Sequence, residues 1–196
     1  MGRKNKGLCF YHRRKKISAG TVKEIFSWMF SICVLTFIAF VLVYFGGMTT
    51  SMIGVSMEPS VQNGDTVYID RFTYILGEPK QGDVIVFLPN GNEKSHYYIK
   101  RVVAVPGDTV QIIGGRLYVN NEIEPTGEIA LDRMTDAGIA ENAIVLGNDE
   151  YFVLGDNRNN SEDSRSANIG MVKKEHILGR AWFYRGGSGN VMGFVK

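Results

Sequence analysis

Two hydrophobic patterns divide the chain. Ile25 to Phe45 (IFSWMFSICVLTFIAFVLVYF) is a run of 21 residues with no charge and no polar stripe, closed by Gly46-Gly47. At about 1.5 Å per residue a helix of this length covers the roughly 30 Å hydrocarbon layer of a bilayer. Trp28 and Tyr44 fall near its two ends, as rings at membrane–water interfaces do. A cleaved signal peptide has a shorter apolar region, about 7–15 residues, followed by a small-x-small site. Here the run is longer and no Ala-x-Ala follows, so the pattern predicts an uncleaved anchor over residues 25–46.

Beyond Ser56 the pattern changes to period two in short runs. Thr66–Asp70, Val84–Leu88, Tyr97–Val105, Val110–Ile113, Arg116–Asn120, Tyr151–Leu154 and Ala181–Tyr184 read as strands. Turn signals bound them: Asn63-Gly64-Asp65, Gln81-Gly82-Asp83, Pro106-Gly107-Asp108, and Gly114-Gly115 between two runs as a hairpin. Residues 122–149 are weakly patterned and read as an insertion with little regular structure. Short strands with glycine-rich turns predict an all-β external domain, a sandwich or small barrel of mainly antiparallel sheets, behind one transmembrane helix.

Charge fixes the expected orientation. Of 22 Lys/Arg and 20 Asp/Glu, eight and one lie in residues 1–24, leaving 14 and 19 in residues 25–196, a net of −5 there. The basicity is therefore a property of the tail. By the positive-inside rule it keeps residues 1–24 cytoplasmic and places residues 47–196 outside, at the cell membrane as a single-pass protein. The tail's basic role is topology and contact with the lipid bilayer; nothing in the external part points to nucleic acid. Cys9 and Cys33 lie on different sides of the predicted membrane boundary, so no disulfide or Cys-based metal site can be drawn. No cofactor is implied. An Asp/Glu metal site is disfavoured as well, for want of EF-hand spacing and of a second ligand cluster.

Three features can carry chemistry. Ser56 sits in a polar turn, Gly54-Val55-Ser56-Met57-Glu58-Pro59-Ser60, just outside the anchor. Lys100 lies within Tyr98-Ile99-Lys100-Arg101-Val102-Val103-Ala104-Val105, an apolar strand in which burial favours the neutral amine. Moving a lysine from about 10.4 into the 7–8 range useful to a general base takes roughly 4 kcal/mol of desolvation. Alternation sets Lys100 and Arg101 on opposite faces, both apolar, so the pattern leaves open which cation points inward. The third is the loop from Gly155 to Arg165, whose carboxylates, arginines and hydroxyls are close enough to hold one another by charge-assisted hydrogen bonds. His96 and His176 are available but sit in no triad-like motif, and His12 lies in the tail.

With these segments in order behind one anchor, the chain resembles the bacterial type I signal peptidases, in the single-anchor form of Gram-positive bacteria. The likeness covers most of residues 25–196. It rests on Ser56-Met57-Glu58-Pro59-Ser60, Gly64-Asp65-Thr66-Val67, Gly82-Asp83-Val84-Ile85-Val86-Phe87, the run from Tyr98 to Asp108, and Gly155-Asp156-Asn157-Arg158 through Asp163-Ser164-Arg165. The resemblance implies a signal-peptidase-like β-fold in a catalytic domain over 47–196 and a serine endopeptidase acting on exported preproteins after small-x-small motifs. It implies Ser56 as nucleophile and Lys100 as general base. It also implies that the Ser56 N–H forms part of the oxyanion hole, with Gly54 and Met57 beside it as supporting residues. Ser161 matches the family serine that hydrogen-bonds the lysine amine. Asp163 and Arg165 match a supporting ion pair, and Asp156 and Arg158 are structural members of the same loop. Gly54 offers no hydroxyl where some members use a serine side chain, Ser60 stands where threonine is usual, and Asn159 where aspartate is frequent. Apolar residues Met52, Ile53, Ile75 and Leu76 are expected at the membrane surface.

Other readings fit less well. Self-cleaving Ser/Lys repressors need a DNA-binding domain and no membrane helix, the reverse of this chain. A catalytically dead tethered domain would lack Ser56 or Lys100, and a eukaryotic-style relative would carry histidine at the base position.

Overall fold

The computed structural model describes residues 19–46, 48–124, 133–187 and 191–195. The basic tail before Ala19, Cys9 and His12 therefore lie outside the described residues. The chain divides into two compact units, Met1–Val41 and Leu42–Lys196.

The described part of the first unit lies in one α-helix, α1, which spans Ala19–Gly46, runs past the unit's end at Val41 and starts six residues before the apolar run. Gly20–Val41 forms a 22-residue stretch long and apolar enough to cross a membrane. Large side chains stand exposed all around it, from Phe26 and Trp28 to Phe37 and Phe40. A helix apolar on every face satisfies its backbone internally and is stable in hydrocarbon rather than in water.

In the second unit two antiparallel sheets build the fold. Strands β1 (Met48–Ser51) and β2 (Thr66–Asp70) flank the turn that carries Ser56. A short helix, α2 (Thr73–Leu76), leads to β3 (Val84–Phe87) and the central β4 (Tyr98–Ala104). Then come β5 (Thr109–Ile113), β6 (Arg116–Val119), β7 (Glu122–Ile123), β8 (Ile144–Val145) and β9 (Glu150–Leu154). Strands β10 (Val172–Lys173), β11 (Ile177–Arg185) and β12 (Met192–Phe194) complete the set. The larger sheet runs β1-β2-β11-β3-β4-β9-β10 with β12 on β11, and the smaller runs β7-β6-β5-β8. The β5–β6 hairpin turns at Gly114-Gly115, with φ of 58° and 76°, the left-handed pair that a type I′ turn requires. The all-β expectation therefore holds.

The segment read as an irregular insertion is only partly irregular. It supplies β7, β8 and a 3-10 turn at Gly138–Glu141, and buries Met134, Ala140 and Leu146 beneath β5. Residues 125–132 lie outside the described residues. Two-residue strands leave no periodicity to read, which is why the pattern missed them.

The position of β4 decides the rest. It pairs with β3 on one side and β9 on the other, and from Ile99 to Ala104 every residue is buried. Ile99 packs with Val84 and Val86 on one face, Val102 with Ile85 and Val153 on the other. A strand covered on both faces reads as a near-continuous apolar run, so any cation in it is buried whichever way it points.

Candidate active site

Ser56 sits in a turn fixed from both sides. Met52 N–H donates to Asp65 O and Gly64 N–H to Met52 O, 2.8 and 2.9 Å, while Gly54 N–H donates to Asn63 Oδ1 at 2.9 Å. Met57 and Val61 are fully buried beneath it, and the Glu58–Pro59 peptide is cis. Met52 is 4 % exposed and belongs to this core, which corrects its expected place at a membrane surface; Ile53, Ile75 and Leu76 are exposed. Asn157, which the sequence did not single out, donates its backbone N–H to Ser56 O (3.0 Å) and its Nδ2 to Val55 O (3.2 Å). The loop after β9 thus holds the carbonyls that flank the serine. The Ser56 N–H itself has no acceptor among the described residues.

Lys100 Nζ donates to Ser56 Oγ at 2.6 Å, across 44 residues of sequence. It is its only hydrogen-bond partner among the described residues. At 4 % exposure, burial pushes the amine down to about 8, against the pull of Asp163, Glu162 and Asp156, with Arg165 adding to the lowering. An amine in this range is neutral often enough at neutral pH to accept a proton. The Tyr98 ring lies 5.5 Å from Nζ.

Arg101, the neighbouring cation, is buried as well, so the strand turns neither residue to solvent. Its guanidinium grips Asp156 through Nε and Nη2, each at 2.7 Å, and donates to Gly82 O at 2.8 Å. Asp156 is thereby committed to β4. Arg158 faces Glu124 at 3.7 Å, both nearly fully buried, with Glu124 Oε2 and Arg158 Nε making no hydrogen bond. Burial raises the Glu124 carboxyl, opposed by Arg158. Glu124 lies in the stretch taken for an irregular insertion, and nothing in its spacing marks it.

Asp163 and Arg165 do form a bidentate pair, at 2.9 and 3.0 Å, and Asp163 also accepts the Gly155 N–H at 3.1 Å. Arg165 ties the loop outward, donating to Asp136 O (3.1 Å) and to Arg158 O. Asn159 accepts from Thr135 N–H at 3.0 Å and donates Nδ2 to Arg133 O at 3.1 Å. An aspartate there could not make the second bond. Ser161 requires a correction. The resemblance implies a hydrogen bond to the lysine amine, but its buried Oγ makes none among the described residues. The hydroxyl instead packs against Gly155, where a β-carbon would stand 2.2 Å from Ser161 Oγ and 2.5 Å from Ser56 O, while the amine is turned onto Ser56. Only glycine admits that approach.

Ser56 and Lys100 open into a groove of about 400 Å³ lined by Met52 to Val55, Ser95 to Ile99, Asn160 and Glu162. A hydroxyl held on a desolvated amine, with a free backbone N–H beside it and an open, partly apolar groove in front, is equipped for acyl transfer on an extended chain.

These features, with the apolar helix, are those of a membrane-anchored hydrolase. Residues 25–184 match the model of the family described as signal peptidase, peptidase S26, and the chain belongs to that family. It is 37% identical over 131 residues to the probable signal peptidase I-2 of Synechocystis sp. (65% of this chain, 57% of that protein). It is 32% identical to signal peptidase I P of Bacillus subtilis subsp. natto over 163 residues (80% and 86%). Signal peptidase IB of Staphylococcus aureus (strain COL) is 34% identical over 177 residues (82% and 89%). The chain thus spans little more than half the length of the Synechocystis relative and most of the other two.

Proposed function

We propose that this protein is a membrane-bound serine endopeptidase that removes N-terminal signal peptides from exported preproteins. Ser56 is the nucleophile and Lys100 the general base. The observation that carries the reading is the 2.6 Å contact between Ser56 Oγ and a buried amine at the floor of an open groove, in a member of a peptidase family. Neutral Lys100 takes the Ser56 proton as Oγ attacks the scissile carbonyl. The Ser56 N–H stabilises the oxyanion, and Lys100 returns the proton to the leaving amine. Water, deprotonated by the same amine, then releases the acyl-enzyme. Asp163 and Arg165 hold the loop behind the amine, and Asp156 and Arg158 fix its start.

Alternate side chains of an extended peptide point the same way. The first and third residues before the cut therefore face one wall of the groove, beside Ile53, Val55 and Ile99, and small residues fit there. The helix anchors the enzyme where its substrates' own apolar segments lie. The basic tail sets the N-terminus in the cytoplasm and the domain from residue 47 outside.

The test uses full-length protein in detergent with a preprotein bearing Ala-x-Ala, alongside Ser56→Ala and Lys100→Ala. Cleavage after the second alanine by the wild type, absent from both variants, is the expected result. An intact preprotein under conditions where a known signal peptidase cuts it would refute the reading.

A further inference from the structure

The groove wall beside the amine is built by two residues that the reaction as derived does not use. Tyr98 precedes Lys100 by two positions on β4, so their side chains rise on one face and the ring stands 5.5 Å from Nζ. Its other side rests against Phe87, with ring centroids 6.0 Å apart. Its phenol donates to Glu162 Oε2 at 3.2 Å, across 64 residues of sequence. Glu162 is exposed and lines the same groove as Ser56 and Lys100, while its neighbours Ser161 and Asp163 face inward from the loop.

We propose that Glu162 is a positioning residue for Lys100: through the phenol of Tyr98 it clasps the ring across the amine and sets a carboxylate at the groove mouth. The proposal rests on the reading of Lys100 as the base. Two consequences follow from the geometry. The ring shields the amine on its open side, and the Glu162 charge favours the ammonium form, partly offsetting the desolvation that burial imposes. Glu162 therefore tunes the pH at which the amine becomes a base. The other charged groups facing Lys100 are Asp163, Asp156 and Arg165, all from the same loop. Strand β3 brings no titratable group, and β9 brings Glu150 and Tyr151 only at its far end. The serine turn carries Glu58, and the approach to β4 carries His96 and Tyr97. Burial, and then Glu162, push the Tyr98 phenol up, so it stays protonated and keeps donating.

The test is an NMR titration of Lys100 in full-length protein carrying 13Cε-labelled lysine, in micelles and without substrate. Lys100→Met identifies the signal. Glu162→Gln is expected to lower the Lys100 midpoint by about half a pH unit, and Glu162→Lys by about one, both attenuated because the site is exposed. The Glu162→Gln shift should shrink in high salt. Tyr98→Phe keeps the ring but releases the carboxylate, and its midpoint should fall between wild type and Glu162→Gln. A midpoint unchanged or raised in Glu162→Gln overturns the proposal, and Tyr98→Phe matching wild type overturns the clasp. The readout needs no turnover, so it is independent of whether the protein cuts a preprotein.

Discussion

Lys100 and Arg101 are adjacent residues of one strand, both cations, both buried, and the fold treats them in opposite ways. Arg101 is given a carboxylate in bidentate geometry and a backbone carbonyl; Lys100 is given a serine hydroxyl and an aromatic ring. Guanidinium stays charged under any burial, so the chain supplies it with a counter-ion. An amine can shed its proton, and withholding a direct partner drives it toward doing so. The difference shows that burial alone does not decide whether a cation is given a counter-ion. What matters is which side of β4 the carboxylates of the loop after β9 reach.

The largest effect should come from erasing the unpaired side. Lys100→Met is expected to reduce cleavage by about three orders of magnitude or more, as loss of a general base on a nucleophile does. The same substitution should stabilise the fold. At 4 % exposure and a midpoint near 8, the folded state disfavours the ammonium by about 3 kcal/mol relative to the unfolded chain. That cost is complete below pH 8, where both states are protonated, and fades as pH rises toward 10.5, where both are neutral. Thermal unfolding in micelles at pH 7 should therefore show a higher midpoint for Lys100→Met, with the gap narrowing above pH 8.

Breaking the paired side should do the reverse. Asp156→Ala leaves Arg101 buried without its counter-ion and is expected to cost about 3–5 kcal/mol of stability, read by the same unfolding measurement. Wild-type stability in that variant would show that Gly82 O and Ser60 Oγ, which accepts from Arg101 Nη2 at 3.4 Å, suffice for Arg101.

The smallest effect tests how firmly the loop is held. Asn159→Asp removes the donor to Arg133 O and sets a carboxylate against a carbonyl. At an exposed position the loss should be about 1 kcal/mol, with the cleavage rate falling only modestly. A collapse of activity would mean that the 133–139 segment governs Lys100 more directly than the Asp163–Arg165 pair does.

The sequence made parts of this legible for reasons that the structure explains. Strands β2 to β6 and β9 carry period-two or fully apolar runs bounded by Gly and Asp turns, and the structure forms them at nearly those limits. Strand β1, Met-Thr-Thr-Ser, has one apolar residue in four and so no apolar alternation to read, and the three-residue β12 and two-residue β7, β8 and β10 are too short to have a period. Proximity of Ser56, Lys100 and the 155–165 loop was an inference from resemblance, because no local pattern encodes a contact across 44 residues. The partners of Asp156 and Arg158 were unreadable for the same reason: Arg101 and Glu124 are brought to them by strand pairing and by a weakly patterned segment. The Ser161 bond fails on a packing detail at Gly155, which no motif records.

The measurement closest to the central claim is the pH dependence of kcat/KM for preprotein cleavage by the full-length protein. Free Lys100 titrating near 8 predicts an acid limb with its midpoint at about pH 8 and activity rising tenfold for each unit gained below it. A midpoint near 6.5, the ordinary value of histidine, would contradict the account and move the base to His96, which lines the same groove.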